Sequence, residues 1–298
     1  MAEPRHTLIK TAYKQAPVVN VADDFVMHGL NISPDLDTVT YTLAGAVNPE
    51  TGWGLRGETW AAMEAQERLG GETWFRLGDQ DLATHLYRTG RLAAGAPLHV
   101  VAAELASAQG VGVRLLPVSD QPLRTMVTVA GSGEELDFQE YFVHRQHDVT
   151  VAGVRFSGDG SAEPAPGVLD AIGEAETLVI APSNPIVSIG PVLAVRGVRE
   201  ALVRRRDRCV GVSPIVGGQA LKGPADRLLR ELGHESSVVG VARLYRELCA
   251  TVIVDEVDAP LAAAVEAEGV RCVVAPTIMS DPVLAAEVAR RTLAAVEP

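Results

Sequence analysis

Four carboxylates fall within fifteen residues near the start of this 298-residue chain. Asp23 and Asp24 close the stretch Asn20-Val21-Ala22-Asp23-Asp24, and Asp35 and Asp37 lie in Ser33-Pro34-Asp35-Leu36-Asp37-Thr38. The first pair follows an apolar run. Acids in that place either cap a following helix or hold a magnesium ion (Mg2+), which prefers a few carboxylates with water and phosphate oxygens. The second pair is spaced by two, so an extended backbone would point both acids to one side. Like charges on one face repel unless a cation or a donor lies between them. That pattern is common in surface turns by itself and gains weight from the pair beside it.

Three further groups could carry chemistry. In Leu77-Gly78-Asp79-Gln80-Asp81-Leu82-Ala83-Thr84-His85, followed by Arg88, the residues Asp81, His85 and Arg88 share one helix face at spacings of four and three. They either reach a phosphate or a polar ring edge, or form an ion pair within the fold. In Ala181-Pro182-Ser183-Asn184-Pro185-Ile186-Val187-Ser188-Ile189-Gly190-Pro191, two prolines fix a small polar turn directly after an apolar run. Ser183, Asn184 and Ser188 offer donors and acceptors there, and backbone N–H groups could face an anion. A purely structural turn has no need of three such groups, which favours a ligand role. Gly217-Gly218 permit close backbone approach, and Lys222 either meets a phosphate or is a surface lysine.

These groups sit at the ends of regular elements. Short β-branched runs occur at Val18–Val21, Val111–Leu116, Thr177–Ala181, Cys209–Val212, Thr251–Val254 and Val270–Val274, each ending in a polar turn. Helical patterns lie between them: Leu98–Gln109, Ala225–Leu232 with Gly233 as its stop, and a last helix capped by Asp281 with Pro282 in its first turn. The alternation predicts a Rossmann-like, doubly wound, mostly parallel sheet in one α/β domain over residues 1–298. In such sheets ligands collect beyond the carboxyl ends of the strands. Two stretches break the alternation. About 45–97 reads as a helical cap, and about 121–165 as a small β-hairpin excursion, with Thr125–Ala130 and Leu136–Val143 flanking the turn Gly131-Ser132-Gly133.

Composition sets bounds on function. Hydrophobic residues make up 47% but aromatics only 4%, so the core rests on Val, Leu, Ile and Ala, as suits strands buried on both faces. A net charge of -12 argues against a nucleic-acid binder. It leaves room for a phosphorylated small molecule beside a bound metal. Cys209, Cys249 and Cys272 lack zinc-ligand spacing and read as reduced thiols of a cytoplasmic protein. No apolar run approaches the roughly 18 residues of a membrane span, and Met1–Ala16 carries no apolar signal core. Neither a Gly-x-Gly-x-x-Gly fingerprint, a Walker loop nor a Gly-x-Ser-x-Gly elbow is present, which lowers the case for a dinucleotide oxidoreductase, a P-loop enzyme or an α/β-hydrolase.

Taken in order, the segments resemble the 2-phospho-L-lactate transferase family of coenzyme F-420 biosynthesis, whose actinobacterial members use a phosphoenolpyruvyl donor. The resemblance rests on VNxxDD at Asn20–Asp24, PDLDT at Pro34–Thr38, Trp53-Gly54, LGDxDLATH at Leu77–His85, Pro117–Asp120, FQEYF at Phe138–Phe142, APSNPxxSIGP at Ala181–Pro191, Ser213–Ile215 and Asp281-Pro282. It implies a magnesium-dependent phosphotransferase acting on the deazaflavin Fo and a guanosine diphosphate ester, with GMP as leaving group, and a homodimer by analogy. It further implies that Asp23, Asp24, Asp35 and Asp37 hold the metal, with Asp35 or Asp37 as catalytic carboxylates. Asp79, His85 and Arg88 would shape the deazaflavin and phosphate pocket, and Ser183, Asn184 and Ser188 the guanosine diphosphate side. Two departures stand out. The family opens with a strand and a glycine-rich loop near the donor phosphates, whereas Met1–Ala16 contains no glycine. Gln80 stands where the family commonly has arginine. A deazaflavin- or nucleotide-binding homologue that transfers poorly, and an unrelated nucleotide-sugar transferase with a DxD metal site, are the competing readings.

Overall fold

The computed structural model describes residues 9–11, 16–158 and 161–296. Its strands are β1 (Ile9–Thr11), β2 (Val18–Val19), β3 (Phe25–Met27), β4 (Leu30–Ile32), β5 (Leu116–Pro117), β6 (Arg124–Val129), β7 (Glu135–Asp137), β8 (Val151–Ser157), β9 (Leu178–Ile180), β10 (Cys209–Val212), β11 (Ile215–Val216), β12 (Gln219–Ala220), β13 (Thr251–Val254) and β14 (Arg271–Val274). The α-helices are α1 (Pro34–Leu43), α2 (Ala61–Arg68), α3 (Asp79–Ala93), α4 (Leu98–Ala108), α5 (Val168–Glu174), α6 (Gly190–Ala194), α7 (Val198–Arg204), α8 (Ala225–Glu231), α9 (Val238–Tyr245), α10 (Ala262–Ala267) and α11 (Pro282–Ala294).

The main sheet has the order β14-β13-β10-β9-β1-β2-β5. β9, β10, β13 and β14 run parallel, as do β2 and β5. Every residue of β10 and β13 is buried, as expected of strands covered on both faces by helices. The Rossmann-like α/β class expected from the alternating runs is therefore the class observed. At the sheet centre β1 lies between β9 and β2 and runs antiparallel to both. Ile9–Thr11 thus fills the sheet centre. Residues 1–8 and 12–15, where a phosphate loop would be sought, lie outside the described residues.

Several elements differ from the sequence expectation. The run Val111–Leu116 yields strand only at Leu116–Pro117, because α4 ends at Ala108 and the next residues turn through Gly110 to return to the sheet. The expected return strand Leu136–Val143 stops at Asp137, and Glu140–His144 winds as a π-helix. Phe138, Tyr141 and Phe142 have spacings of three and four, which pack them as a helical face against Val127, Leu136 and Val151. The Asp35/Asp37 segment is not extended. Pro34 starts α1 at its first turn, so the two acids lie roughly 200° apart around the axis rather than side by side. β6, β7 and β8 form a separate antiparallel sheet, and no helix among the described residues is long and apolar enough to cross a membrane.

Candidate active site

A cavity of about 590 Å³ opens where the parallel strands end, a size typical of small-molecule sites. Asp23 follows β2, Ser183 follows β9, Ser213 follows β10 and Thr277 follows β14, and all four line it. Because chain order runs outward from β2 to β5 and from β9 to β14, the cavity lies over the switch point of the sheet. The loops sought from the sequence are thus gathered by topology alone.

The acid cluster forms two linked groups. Asn20, fully buried, donates from Nδ2 to Asp23 Oδ2 and Asp35 Oδ2, each at 3.0 Å. Its own Oδ1 accepts from Ala22 N at 2.9 Å, which fixes the amide orientation. Asp37, on the other side of α1's first turn, accepts from the Arg88 guanidinium. Asp24 accepts from the Ser33 hydroxyl at 2.6 Å and does not line the cavity. Asp23, Asp35 and Asp37 do.

Burial pushes Asp23 well up, aided by the charges of Asp35 and Asp24. It pushes Asp24 up to about 7 against the pull of Ser33 and Arg88, and it raises Asp37 despite Arg88 and His85. Three enclosed oxygens, Asp23 Oδ1, Asp24 Oδ1 and Asp37 Oδ2, accept no well-formed hydrogen bond, although the Thr125 side chain lies near Asp23 and His85 Nδ1 lies 3.6 Å from Asp37 Oδ2. Carboxylates enclosed in this way suit a cation. The tightest potential ligand group among the described residues is different from the four-acid set: Asp37, Asp81 and His85 bring ligand atoms within 4.8 Å of one another.

That trio is already an ion-pair network between α1 and the buried face of α3. His85 Nε2 lies 3.3 Å from Asp81 Oδ2, and its Nδ1 lies 3.2 Å from Arg88 Nη1. The Tyr41 hydroxyl, missed from the sequence, donates to Asp81 Oδ1 at 2.6 Å. Burial raises Asp81, but His85, Tyr41 and Arg88 outweigh it and hold the carboxyl below its ordinary value. Arg88 is 1% exposed and lies outside the cavity lining. It braces Asp37, His85 and the Asn31 carbonyl rather than reaching a ligand.

Asp79 also falls away from the cavity. Its carboxylate accepts from Ala61 N, Ala62 N and the Thr59 hydroxyl, capping α2. In exchange, Glu58 accepts from Asp81 N at 3.2 Å at the start of α3 and from Leu55 N at 2.8 Å. Gly78 makes room for this crossing, since a Cβ there would sit 1.7 Å from Glu58 Oε2. Gln80 is exposed and outside the lining.

Ser183, Asn184 and Ser188 all line the cavity. Asn184 Oδ1 accepts from Ile186 N and Val187 N and so caps the π-helix Pro185–Ile189. Aromatic rings that the sequence did not identify as a wall line the cavity as well, among them Trp74, Phe138 and Phe142, the last two within a quoted motif. Phe138 stacks on Phe142 at 5.3 Å, and Trp74 stacks on His144 at 5.1 Å. Just beyond, Gln146 and His147 take φ of 52° and 46°. Such left-handed backbone costs a side-chain-bearing residue roughly 1–2 kcal/mol.

The chain matches the model of 2-phospho-L-lactate transferase CofD over residues 7–279. It is 45% identical over 282 residues to a phosphoenolpyruvate transferase of Streptomyces griseus, covering 93% of this chain and 89% of the relative. It is 44% identical to that of Streptomyces coelicolor, with 93% and 88% covered, and 40% identical to that of Mycolicibacterium smegmatis, with 93% and 86% covered. Among solved structures, a UPF0052 family protein from Bacillus halodurans shares the fold with a TM-score of 0.57 at 16% identity, over 93% of this chain and 90% of that one. A match over nearly the whole chain places this transferase in the 2-phospho-L-lactate transferase CofD family.

Proposed function

We propose that the chain transfers an enolpyruvyl-phosphate or phospholactyl group from a guanosine diphosphate ester to the terminal hydroxyl of the deazaflavin Fo, releasing GMP. The observation that carries this reading is the pair of enclosed carboxylates Asp23 and Asp37, each with an oxygen that accepts no hydrogen bond, lining one cavity together with the rings of Trp74, Phe138 and Phe142. The names borne by relatives at 40–45% identity favour the enolpyruvyl donor.

In this reading the hydroxyl oxygen attacks the phosphorus that bears the three-carbon acid. A new P–O bond forms, the bridging P–O bond to GMP breaks, and the hydroxyl proton passes to a carboxylate. Asp37 suits that role, because burial raises its pKa and its Oδ2 accepts no hydrogen bond, with His85 Nδ1 3.6 Å away. Asp35, steadied by Asn20, lines the same cavity from another side of α1. Asp23, Asp35 and Asp37 would hold magnesium, with Asp24 behind them. When bound, the ion neutralises the diphosphate charge, which is the main demand of phosphoryl transfer. Ser183 and Ser188 would contact the donor's phosphate side, with Asn184 holding their turn. The protein would act in the cytoplasm, as a homodimer.

The test is a chromatographic transfer assay with Fo, magnesium and each guanosine diphosphate ester in turn. Release of GMP with formation of the coupled deazaflavin supports the reading. Ligand binding without GMP release favours a non-catalytic homologue, and turnover of a nucleotide sugar alone would overturn the assignment.

A further inference from the structure

We propose that Gln146 and His147 are specificity-determining residues that read the polar edge of a substrate's planar heteroaromatic ring, with their backbone held for that purpose in the left-handed region. The inference rests on the two-substrate reading above and deepens it. Among the described residues only His28 shares their positive φ without being glycine, and it precedes Gly29 in the tight β3–β4 turn. Gln146 and His147 close the C-terminus of a helix, where a left-handed residue is usually glycine or asparagine, so it is their side chains that are unusual there. They follow directly on the π-helix Glu140–His144, an element that recurs at functional sites.

The turn is locked from outside the cavity. His147 N donates to Tyr141 O at 2.9 Å, and the Arg227 guanidinium donates to the carbonyls of His147 and Val149 and contacts the Tyr141 hydroxyl. Strained backbone persists where its surroundings over-determine it, and glycine would relieve the strain if the side chains had no task. Both side chains line the cavity. The His147 ring lies 5.3 Å from Phe142, which stacks in turn on Phe138. A flat ring laid against this wall would present its N–H and C=O edge to an amide and an imidazole, which together offer donors and acceptors. Both substrates carry such a ring, the deazaflavin and the guanine, so the two arms of the test separate them.

The experiment compares the wild type with Gln146→Gly, His147→Gly and His147→Asn in the full chain with magnesium. Deazaflavin fluorescence titration and guanosine diphosphate calorimetry give the two affinities, and thermal unfolding gives Tm. The expected result is an unchanged or raised Tm in both glycine variants, with at least a tenfold loss of affinity for one of the two ligands. His147→Asn, which tolerates the left-handed backbone but lacks the ring, should show the same loss. Loss in the fluorescence arm assigns the acceptor ring, and loss in the calorimetric arm assigns the donor base. Unchanged affinities for both ligands, whatever the Tm, overturn the inference alone. A wild type that binds neither ligand overturns the functional reading and this inference with it.

Discussion

Arg88 on α3 and Asp37 on α1 form an ion pair whose side chains are 1% and 8% exposed. Removing one partner of such a pair leaves an uncompensated buried charge, which costs roughly 3–5 kcal/mol. Arg88→Met should therefore lower unfolding stability by about that amount in urea denaturation. Asp37→Asn should cut magnesium-dependent turnover on the order of 100-fold or more. It should also lower stability, because Arg88 loses its counter-charge. Replacing both by apolar residues, Arg88→Met with Asp37→Leu, should restore much of the stability and none of the turnover. Recovery of turnover in the double variant would remove Asp37 from the chemistry.

Much of the cavity lining was legible in the sequence because its signals were local. Polar turns after β-branched runs located the loops after β2, β9 and β10, and topology then brought them together. What misled was conformation that depends on tertiary packing. The Asp35/Asp37 pair reads as extended only if Pro34 is taken as a strand boundary, whereas it begins a helix. Asp79 sits in the same motif as Asp81 and His85, but at the first helical position it faces α2 instead of the cavity. Arg88 shares the face of His85, yet that face is buried, so the ion-pair reading prevails there. The bracing by Tyr41 and Asn20 joins residues distant in the chain, which spacing cannot show.

The raised pKa of Asp24, up to about 7, sets a pH dependence with a definite sign. Folding favours the protonated form, so the associated stability is complete below the unfolded value of 3.8 and is lost as pH rises through about 7. Asp23 is raised as well and acts in the same direction. The metal-free chain should therefore show a lower Tm at pH 8 than at pH 5.5, and Asp24→Asn should flatten the difference. Magnesium binds the charged carboxylates, so its Tm gain should be larger at pH 8 than at pH 5.5. Equal gains at both pH values, or none, would count against a metal held by these acids.

Asn184 has a separable capping role and ligand role. Its Oδ1 accepts from Ile186 N and Val187 N, so Asn184→Ala should cost about 1 kcal/mol of stability through the lost cap. Asn184→Asp keeps the acceptor and adds a negative charge at the cavity wall. Its Tm should stay near the wild type, while KM for the guanosine diphosphate ester rises several-fold. An unchanged KM in the aspartate variant would place the donor elsewhere in the cavity.

The crossed contacts of Asp79 and Glu58 distinguish support from binding most directly. Each carboxylate serves the start of the other's neighbouring helix, Asp79 at α2 and Glu58 at α3. Asp79→Ala should cost about 1 kcal/mol, the usual loss for a helix cap, while kcat/KM for both substrates stays within about two-fold of the wild type. Glu58→Ala acts closer to the site, because the amide it holds belongs to Asp81, which in turn orients His85. Its kcat should fall more than its KM rises, since the groups displaced position the carboxylates rather than touch the substrates. Steady-state kinetics on the two variants side by side would test this. A large rise in KM for Asp79→Ala with unchanged Tm would return Asp79 to the substrate pocket that its motif suggested.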